Sequence, residues 1–340
     1  MTIAPSIGIR NLYKVFGPAP LAALEKVRTG IGKDDLLSAH GHVLALDDVS
    51  LEIPGGTTFV VMGLSGSGKS TLVRHINRLI EPTSGSVEID GDDIMSLDAL
   101  ALRKLRSRRI SMVFQRFALL PHLTVQQNVM FPLAIANHQE DEARPRAAHW
   151  IERVGLSGYE DRYPSELSGG MQQRVGLARA LATDAPILLM DEPFSALDPL
   201  IRSDMQDMLL GIQSELGLTI VFISHDLDEA LKLGDRIAIL RDGRVAQVDD
   251  PQSLIMRPGN DYVASFTRTI NRARFLTIGA IADRPCDPTG LLQLDPAATL
   301  EQALRALTTA GADRAIVMKS GSPPDGTVTL SAIVDAMLPP

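Results

Sequence analysis

The chain of 340 residues holds a single cysteine, Cys286, so no internal disulfide can form. That suits a reducing compartment, and nothing in its neighbourhood marks it as more than a small structural residue. An excess of basic charge is missing too. The formal net charge is −8 and the pI near 5.4, the opposite of the basic footprint that nucleic-acid binding leaves. Long apolar runs are absent: "FVVM", "ILLM" and "IVFI" are strand-sized, far below the roughly 20 residues that span a bilayer. The opening "MTIAPSIGIRNLYKVFG" lacks the basic segment and apolar stretch of a secretory signal. Low-complexity tracts and internal repeats are also lacking. What remains is an ordinary globular composition, 45% hydrophobic and 22% charged. We expect a soluble chain with one large domain and a smaller one, whose membrane work, if any, needs another subunit.

β-rich runs alternate with helical ones, which predicts an α/β core. "TFVVMG" runs into a glycine loop and then "KSTLVRHINRLI", a helix with one apolar face. "GSVEIDGDDI", "RISMVFQ", "APILLMDE" and "TIVFISHD" read as further strands, and the apolar spacing from about 119 to 181 is helical. "DRIAILRDGRVAQVD" carries an Asp-Gly turn between alternating strands, a hairpin signal. Residues 17–42 form a Gly/Pro-bounded insertion with a short amphipathic helix, and a separate small unit occupies about 275–340.

The glycine loop "GLSGSGKST" fits G-x-x-x-x-G-K-[ST] between a strand and a helix. Glycines let successive N–H groups curl around phosphates at a helix N-terminus, whose partial positive charge favours anions. Gly63, Ser65, Gly66, Ser67, Gly68, Lys69, Ser70 and Thr71 are therefore the candidate phosphate cradle. Lys69 would reach the β- and γ-phosphates and Ser70 would bind Mg²⁺. The strand "ILLM" places Asp191 at its carboxyl end, where open α/β sheets bind ligands. Asp191 is a candidate Mg²⁺ holder, and Glu192 the candidate general base that positions a water. These features alone define a P-loop NTPase; a kinase, a GTPase or a helicase-like motor would all satisfy them.

"LSGGMQQR", from Leu167 to Arg174, narrows the choice. It resembles the signature of ATP-binding cassette (ABC) proteins. "VFQ" with Gln115, "SALD" from Ser195 to Asp198 and "ISHD" with His225 follow the family's pattern in order. The resemblance covers about residues 8–265. It implies a P-loop nucleotide-binding domain with a RecA-like core, an antiparallel β subdomain and a helical subdomain, over residues 1–268. It also implies a homodimer in which each ATP lies between one chain's phosphate loop and the other's signature. Ser168, Gly169, Gly170 and Gln172 would then meet the nucleotide of the partner chain, with a helix start pointing at the γ-phosphate. Gln115 would contact Mg²⁺ or the water and link the site to a membrane permease. His225 would touch the γ-phosphate, and Ser195 and Asp198 would lie in the dimer-interface loop. Phe16 in "YKVFG" matches the aromatic residue that stacks on adenine, with Tyr13 as the alternative.

A single uninterrupted cassette resembles the separate energising subunit of a bacterial importer, on the cytoplasmic side of the inner membrane. The cassettes of translation or DNA repair pair two on one chain or carry long coiled coils. Within importers, "NLYKVFG" with its insertion, "FALLPHLTV" and "FISHDLDEALKLGDRIAIL" resemble the quaternary-amine group (glycine betaine and proline betaine). Choline, carnitine or another amine stays open, because the solute would touch the permease and an extracytoplasmic binding protein instead. "FALLPHLTVQQNV" is where such importers receive a coupling helix, with Phe117, His122 and the leucines as contacts, although the leucines could equally pack their own subdomain. The basic run "LRKLRSRR" (Arg103, Lys104, Arg106, Arg108, Arg109) is either a solvated helix face or a contact for anionic lipid.

The C-terminal stretch resembles one CBS domain, an α+β unit of strand, helix, strand, strand, helix over 275–340. An Asp often stands three residues after the Thr of its "G-x-x-T"; counted from Thr329, that position is Ala332. A structural unit that pairs between two chains is therefore favoured over a ligand sensor. If two chains complete each nucleotide site, specific ATPase activity should fall as the purified protein is diluted into monomers while ATP binding persists. Activity per chain that stays constant on dilution would remove the shared site.

Overall fold

The computed structural model describes residues 4–115, 118–283, 291–319, 323 and 325–338. Cys286 and Phe117 lie outside the described residues. Two compact units are present: Met1–Asp226 with Leu233–Ala246, and Leu227–Lys232 with Gln247–Pro340.

The first unit opens with strand β1 (Ile7–Phe16), followed by helices α1 (Pro20–Arg28) and α2 (Lys33–His40) and strand β2 (Val43–Ile53). The insertion thus forms two helices where the sequence suggested one, because Gly30 at φ +101° turns the chain between them. Ala23, Leu24, Val27 and Leu36 bury their side chains with Val15 and Leu44 of the flanking strands. Strand β3 (Thr58–Met62) then leads through the glycine loop to α3 (Lys69–Ile76). Strands β4 (Ser84–Ile89) and β5 (Asp92–Asp93) complete a four-stranded sheet in the order β2-β1-β4-β5, antiparallel at each pair.

Helix α4 (Ala99–Arg108), strand β6 (Ile110–Val113), helices α5 (Val125–Ile135), α6 (Glu140–Arg153) and α7 (Gly169–Leu181), and strand β7 (Ile187–Asp191) follow. After them come α8 (Pro199–Leu216), β8 (Thr219–Ile223), α9 (Leu227–Leu233), β9 (Arg236–Arg241) and β10 (Arg244–Asp249). The six-stranded sheet has the order β10-β9-β3-β8-β7-β6, and β9-β3-β8-β7-β6 run parallel. Every residue of β3, β7 and β8 is buried, as expected of a parallel sheet covered on both faces. The turn between β9 and β10 has positive φ at Asp242 (50°) and Gly243 (83°), the geometry the Asp-Gly pair favours in tight hairpins. Within the helical segment, Thr124 and Gln127 form a reciprocal capping box that starts α5.

The basic run lies on α4, and two of its five cations serve the chain itself. Arg106 donates to the carbonyls of Asn77 (2.8 Å) and Arg78 (2.5 Å), and Arg109 pairs with Asp90.

In the second unit, α10 (Pro251–Met256), α11 (Asp261–Thr267), α12 (Arg272–Phe275) and α13 (Ile278–Ile281) precede β11 (Leu292–Leu294). Then come α14 (Leu300–Ala310), β12 (Arg314–Val317), β13 (Gly326–Thr329) and α15 (Leu330–Met337), with sheet order β11-β12-β13. The order from β11 onward is the strand, helix, strand, strand, helix expected. Besides Leu227–Lys232, the unit takes in the chain from Gln247 onward, so α10 and α11 fall with it. Hydrogen bonds account for this. Buried Arg272 joins the carbonyls of Ile255 and Leu338, and Gln252 joins Phe275 and Thr277. Thr329 caps α15 by accepting from the Ala332 amide at 3.1 Å.

One buried titratable group in α3 has a readable consequence. His75 is fully buried, Nδ1 donates to the Thr71 carbonyl at 2.7 Å, and Nε2 has no partner among the described residues. Burial, with a smaller push from Lys14, lowers its pKa to about 4 against the opposing effects of the Thr71 carbonyl and Glu81. The unfolded chain would protonate near 6.5, so unfolding takes up a proton between those values. The contribution is whole above about pH 6.5 and fades as pH falls toward 4. Urea denaturation should show wild type losing about 2 kcal/mol more than His75→Gln between pH 7.5 and 5. Equal losses would assign the acid sensitivity elsewhere.

Candidate functional site

The loop between β3 and α3 is held where side chains cannot fit. A Cβ on Gly63 (φ +147°) would lie 2.3 Å from the Leu240 carbonyl oxygen, and one on Gly68 (φ +99°) 2.5 Å from that of Ala45. Glycine is required at both by conformation and by space. The Ser67 amide donates to Leu64 (3.2 Å), and the Gly243 amide of the hairpin turn donates to the Ser67 carbonyl (3.1 Å). Ser67 Oγ is buried without a hydrogen-bond partner among the described residues. Such an orphan is costly unless something completes it, and a phosphate oxygen has the chemistry to do so.

Lys69, at the start of α3, is 6% exposed; Nζ donates to the carbonyls of Gly63 (2.9 Å) and Leu64 (3.2 Å). Burial lowers its pKa, while Glu192 and Asp191 oppose the shift. Its ammonium lies 3.8 Å from Glu192 Oε1. Next along the helix, Ser70 donates to Asp191 Oδ1 at 2.8 Å, and Arg74 reaches Asp191 Oδ2 at 3.2 Å. Sequence reasoning missed Arg74. Its place four residues beyond Ser70, on the same helix face, was the available signal. Thr71 contributes its carbonyl to His75.

Strand β7 ends at Asp191, and the next residue, Glu192, has φ +45°. A non-glycine residue in that region is strained, a condition that surrounding structure must hold. Ser195 helps hold it, donating its hydroxyl to the Glu192 carbonyl at 3.0 Å. Three elements then converge on one carboxylate: His225 Nδ1 is 3.2 Å and Gln115 Nε2 3.3 Å from Oε2, with Lys69 beside Oε1. The structure thus gathers Lys69, Ser70, Gln115, Asp191, Glu192 and His225 into one site.

Among the described residues no three His, Cys, Asp or Glu side chains cluster to hold a metal. The donors present are a hydroxyl (Ser70), a carboxylate (Asp191) and an amide oxygen (Gln115). That hard-oxygen set fits Mg²⁺, which commonly takes one or two carboxylates and completes its shell with phosphate and water.

Phe16, at the end of β1, is 40% exposed, with Lys14 Nζ 4.8 Å from its ring centre. Tyr13 instead packs against the buried cluster of the insertion, with Arg28 5.6 Å from its ring centre. Phe16 is therefore the more exposed of the two aromatics.

Ser168, Gly169, Gly170 and Gln172 stand at the start of α7. Ser168 Oγ accepts from the Met171 amide at 3.3 Å, which leaves its proton to donate. The Gln172 amide group donates within the chain to Pro164 (3.0 Å) and Leu167 (3.2 Å). Gly170 also has a reason the sequence did not disclose: a Cβ there would lie 2.8 Å from Ile201 Cγ2 on α8. Asp198 caps α8 by accepting from the Ile201 amide at 3.1 Å.

Beside the Gln115 segment lies a cavity of about 630 Å³, lined largely by apolar side chains including Leu79, Leu102, Leu120, Phe131, Pro132 and Ile135. Phe131 and Ile135 are exposed at its edge. Arg179 reaches the same cavity and donates to the Ala118 carbonyl at 2.7 Å. Leu120 lines it, whereas His122 is exposed and outside the lining.

Residues 46–195 match the model of the ABC transporter family. The chain is 47% identical over 335 residues to the glycine betaine/proline betaine transport system ATP-binding protein ProV of Escherichia coli K12, covering 98% of this chain and 83% of that one. It is 48% identical to the trimethylamine N-oxide transport system ATP-binding protein TmoW of Ruegeria pomeroyi, covering 94% and 93%. A solved dimeric cassette in a post-hydrolysis state with ADP and Pi superposes with a TM-score of 0.62 at 34% identity, over 72% of this chain and 98% of that one. If Phe16 stacks on the base, Phe16→Ala should weaken binding of a fluorescent ATP analogue about tenfold, in line with the loss of one aromatic–base stack. Tyr13→Phe should leave it unchanged. The reverse ranking would reassign the platform.

Proposed function

This chain belongs to the ABC transporter family of ATP-binding subunits, and on that premise we propose that it energises import of a quaternary amine osmolyte, glycine betaine or proline betaine, through a separate membrane permease. The observation that carries the enzymatic part is the convergence of Lys69, Gln115 and His225 on the Glu192 carboxylate. The substrate class rests on the ProV relative and its coverage of nearly the whole chain.

In this reading two chains sandwich each ATP. Gly63, Ser65, Gly66, Ser67 and Gly68 present the cradle, Lys69 neutralises phosphate charge, and Thr71 closes the helix start. Ser168, Gly169, Gly170 and Gln172 of the opposite chain complete the γ-phosphate side. Mg²⁺, held by Ser70, Asp191 and Gln115, would supply charge neutralisation to the phosphates. Glu192, held within reach of Gln115 and His225, orients the attacking water and receives its proton. His225 stabilises charge on the transferring phosphoryl oxygens, and Ser195 and Asp198 carry the partner-facing loop.

The cavity beside Gln115 is the seat for the permease's cytoplasmic coupling helix. Its exposed Phe131 and Ile135, and its lining by Phe114 next to Gln115, support this. Phe117 keeps its assignment as a coupling contact; His122 stands at the rim of the same segment. An extracytoplasmic binding protein would deliver the solute, and the subunit would work on the cytoplasmic side of the inner membrane. Lipid contact, if made, falls to Arg103, Lys104 and Arg108, because Arg106 and Arg109 are held by the chain. The second unit supplies a CBS-like pairing surface between the two chains.

A second reading, trimethylamine N-oxide as the solute, is favoured by the even coverage of the TmoW relative. Uptake of radiolabelled glycine betaine, proline betaine and trimethylamine N-oxide by cells with and without the chain separates the two. Betaine uptake that requires the chain is expected. Uptake of the N-oxide alone would replace the first reading with the second. Glu192→Gln should abolish ATP hydrolysis and uptake, by about 10²-fold or more, while ATP binding survives. Undiminished hydrolysis in that variant would remove Glu192 from its role.

A further inference from the structure

The insertion between β1 and β2 reaches back to the nucleotide loop, and the roles assigned so far do not use it. Its frame is rigid at the root. His42 is buried, accepts from the Ala19 amide through Nε2 at 3.3 Å and donates from Nδ1 to the His40 carbonyl at 2.6 Å. Gly17 is pressed against the same ring: a Cβ there would lie 2.4 Å from it. The apolar faces of α1 and α2 are buried in the cluster with Val15 and Leu44. At the other end of this frame stands Lys33, the first residue of α2.

Lys33 Nζ lies 3.4 Å from the Gly66 carbonyl oxygen and 3.8 Å from Asp242 Oδ1. Gly66 is the open crest of the glycine loop: φ is +78° and nothing lies within 4 Å of where its Cβ would be. No atom therefore packs against the crest on the side where a Gly66 Cβ would stand. Asp242 belongs to the β9–β10 turn, whose next residue, Gly243, donates to the Ser67 carbonyl. One ammonium thus bridges the crest and the turn that braces the same loop; Lys33 is 32% and Asp242 70% exposed, so solvent screens the ion pair.

We propose that Lys33 is a positioning residue of the nucleotide site, through which the insertion fixes the crest of the phosphate loop and so sets affinity for ATP and ADP. The inference rests on the nucleotide-binding reading of that loop. Phosphate binding by a glycine loop needs several N–H groups to converge at once. A crest free to tilt loses affinity by having to be ordered when the ligand arrives. Since Phe16 directly precedes the insertion, a single frame holds the adenine platform at its root and the phosphate loop at its tip. Lys33 acts before chemistry, so it should affect binding of both nucleotides and leave the hydrolytic step alone.

The test measures nucleotide affinity with a fluorescent ATP analogue and with ADP competition, alongside kcat and KM for ATP. Lys33→Met should weaken both affinities and raise KM about fivefold, with kcat within about twofold of wild type, the scale of one partly exposed charge-assisted bond. Lys33→Arg should restore most of the affinity, and Asp242→Asn should shift it in the same direction as Lys33→Met but less. Lys69→Ala serves as the control. If it abolishes binding while folded Lys33→Met protein binds like wild type, this inference alone fails. If kcat falls in Lys33→Met with KM unchanged, a positioning role is also overturned. If binding survives Lys69→Ala, the nucleotide reading of the loop fails and this inference with it.

Discussion

The site depends on how closely backbone can approach backbone around the loop from Gly63 to Gly68. The carbonyls of Leu240 and Ala45 press against two of its residues at distances that exclude any Cβ. Only glycine fits at either position. Strand β3 supplies one anchor, α3 the other, and the β9–β10 turn braces the middle through Gly243. The buried, unpartnered Ser67 hydroxyl is a polar atom that the fold leaves incomplete inside this confinement. A cradle of this kind is assembled by long-range packing, although its residues are contiguous in sequence.

Much of the core was legible for that reason. "TFVVM", "ILLM" and "TIVFI" are uniform apolar runs of strand length, and the parallel sheet buries each completely. The Asp-Gly pair announced a hairpin, and the turn adopts the two positive φ angles it requires. Ordered motifs placed Lys69, Asp191, Glu192 and His225, because Lys69 begins α3, Asp191 ends β7, and Glu192 and His225 stand within two residues of the carboxyl ends of β7 and β8. The gathering of Gln115 and His225 on one carboxylate oxygen could not be read, since it depends on three loops meeting.

What stayed hidden shares one property: it is contact between segments far apart in sequence. Ile201 against Gly170 and Arg106 on the carbonyls at the end of α3 have no local signature, and Arg74 on Asp191 has only its spacing from Ser70. The basic run looked uniform by composition, yet the fold holds Arg106 by carbonyl oxygens and Arg109 by a carboxylate. The insertion hid its second helix because a single glycine turn separates two short apolar faces that only make sense once buried together. At the C-terminal end, the pattern of elements was visible while the boundary was not. Arg272 and Gln252 stitch helices that precede the expected domain into it.

Ile201 also ties two regions of one chain that the proposed dimer sends to different nucleotides. Glu192 is anchored through its carbonyl to Ser195; Asp198 fixes the first turn of α8; and Ile201 on that turn rests against the start of α7. In the proposed dimer, a displacement at Glu192 would therefore have a short path of contacts, within one polypeptide, to the start of α7 that is proposed to face the other ATP. In a symmetric pair each subunit would carry such a lever, so the two ATP molecules could not be cleaved in mechanical ignorance of one another.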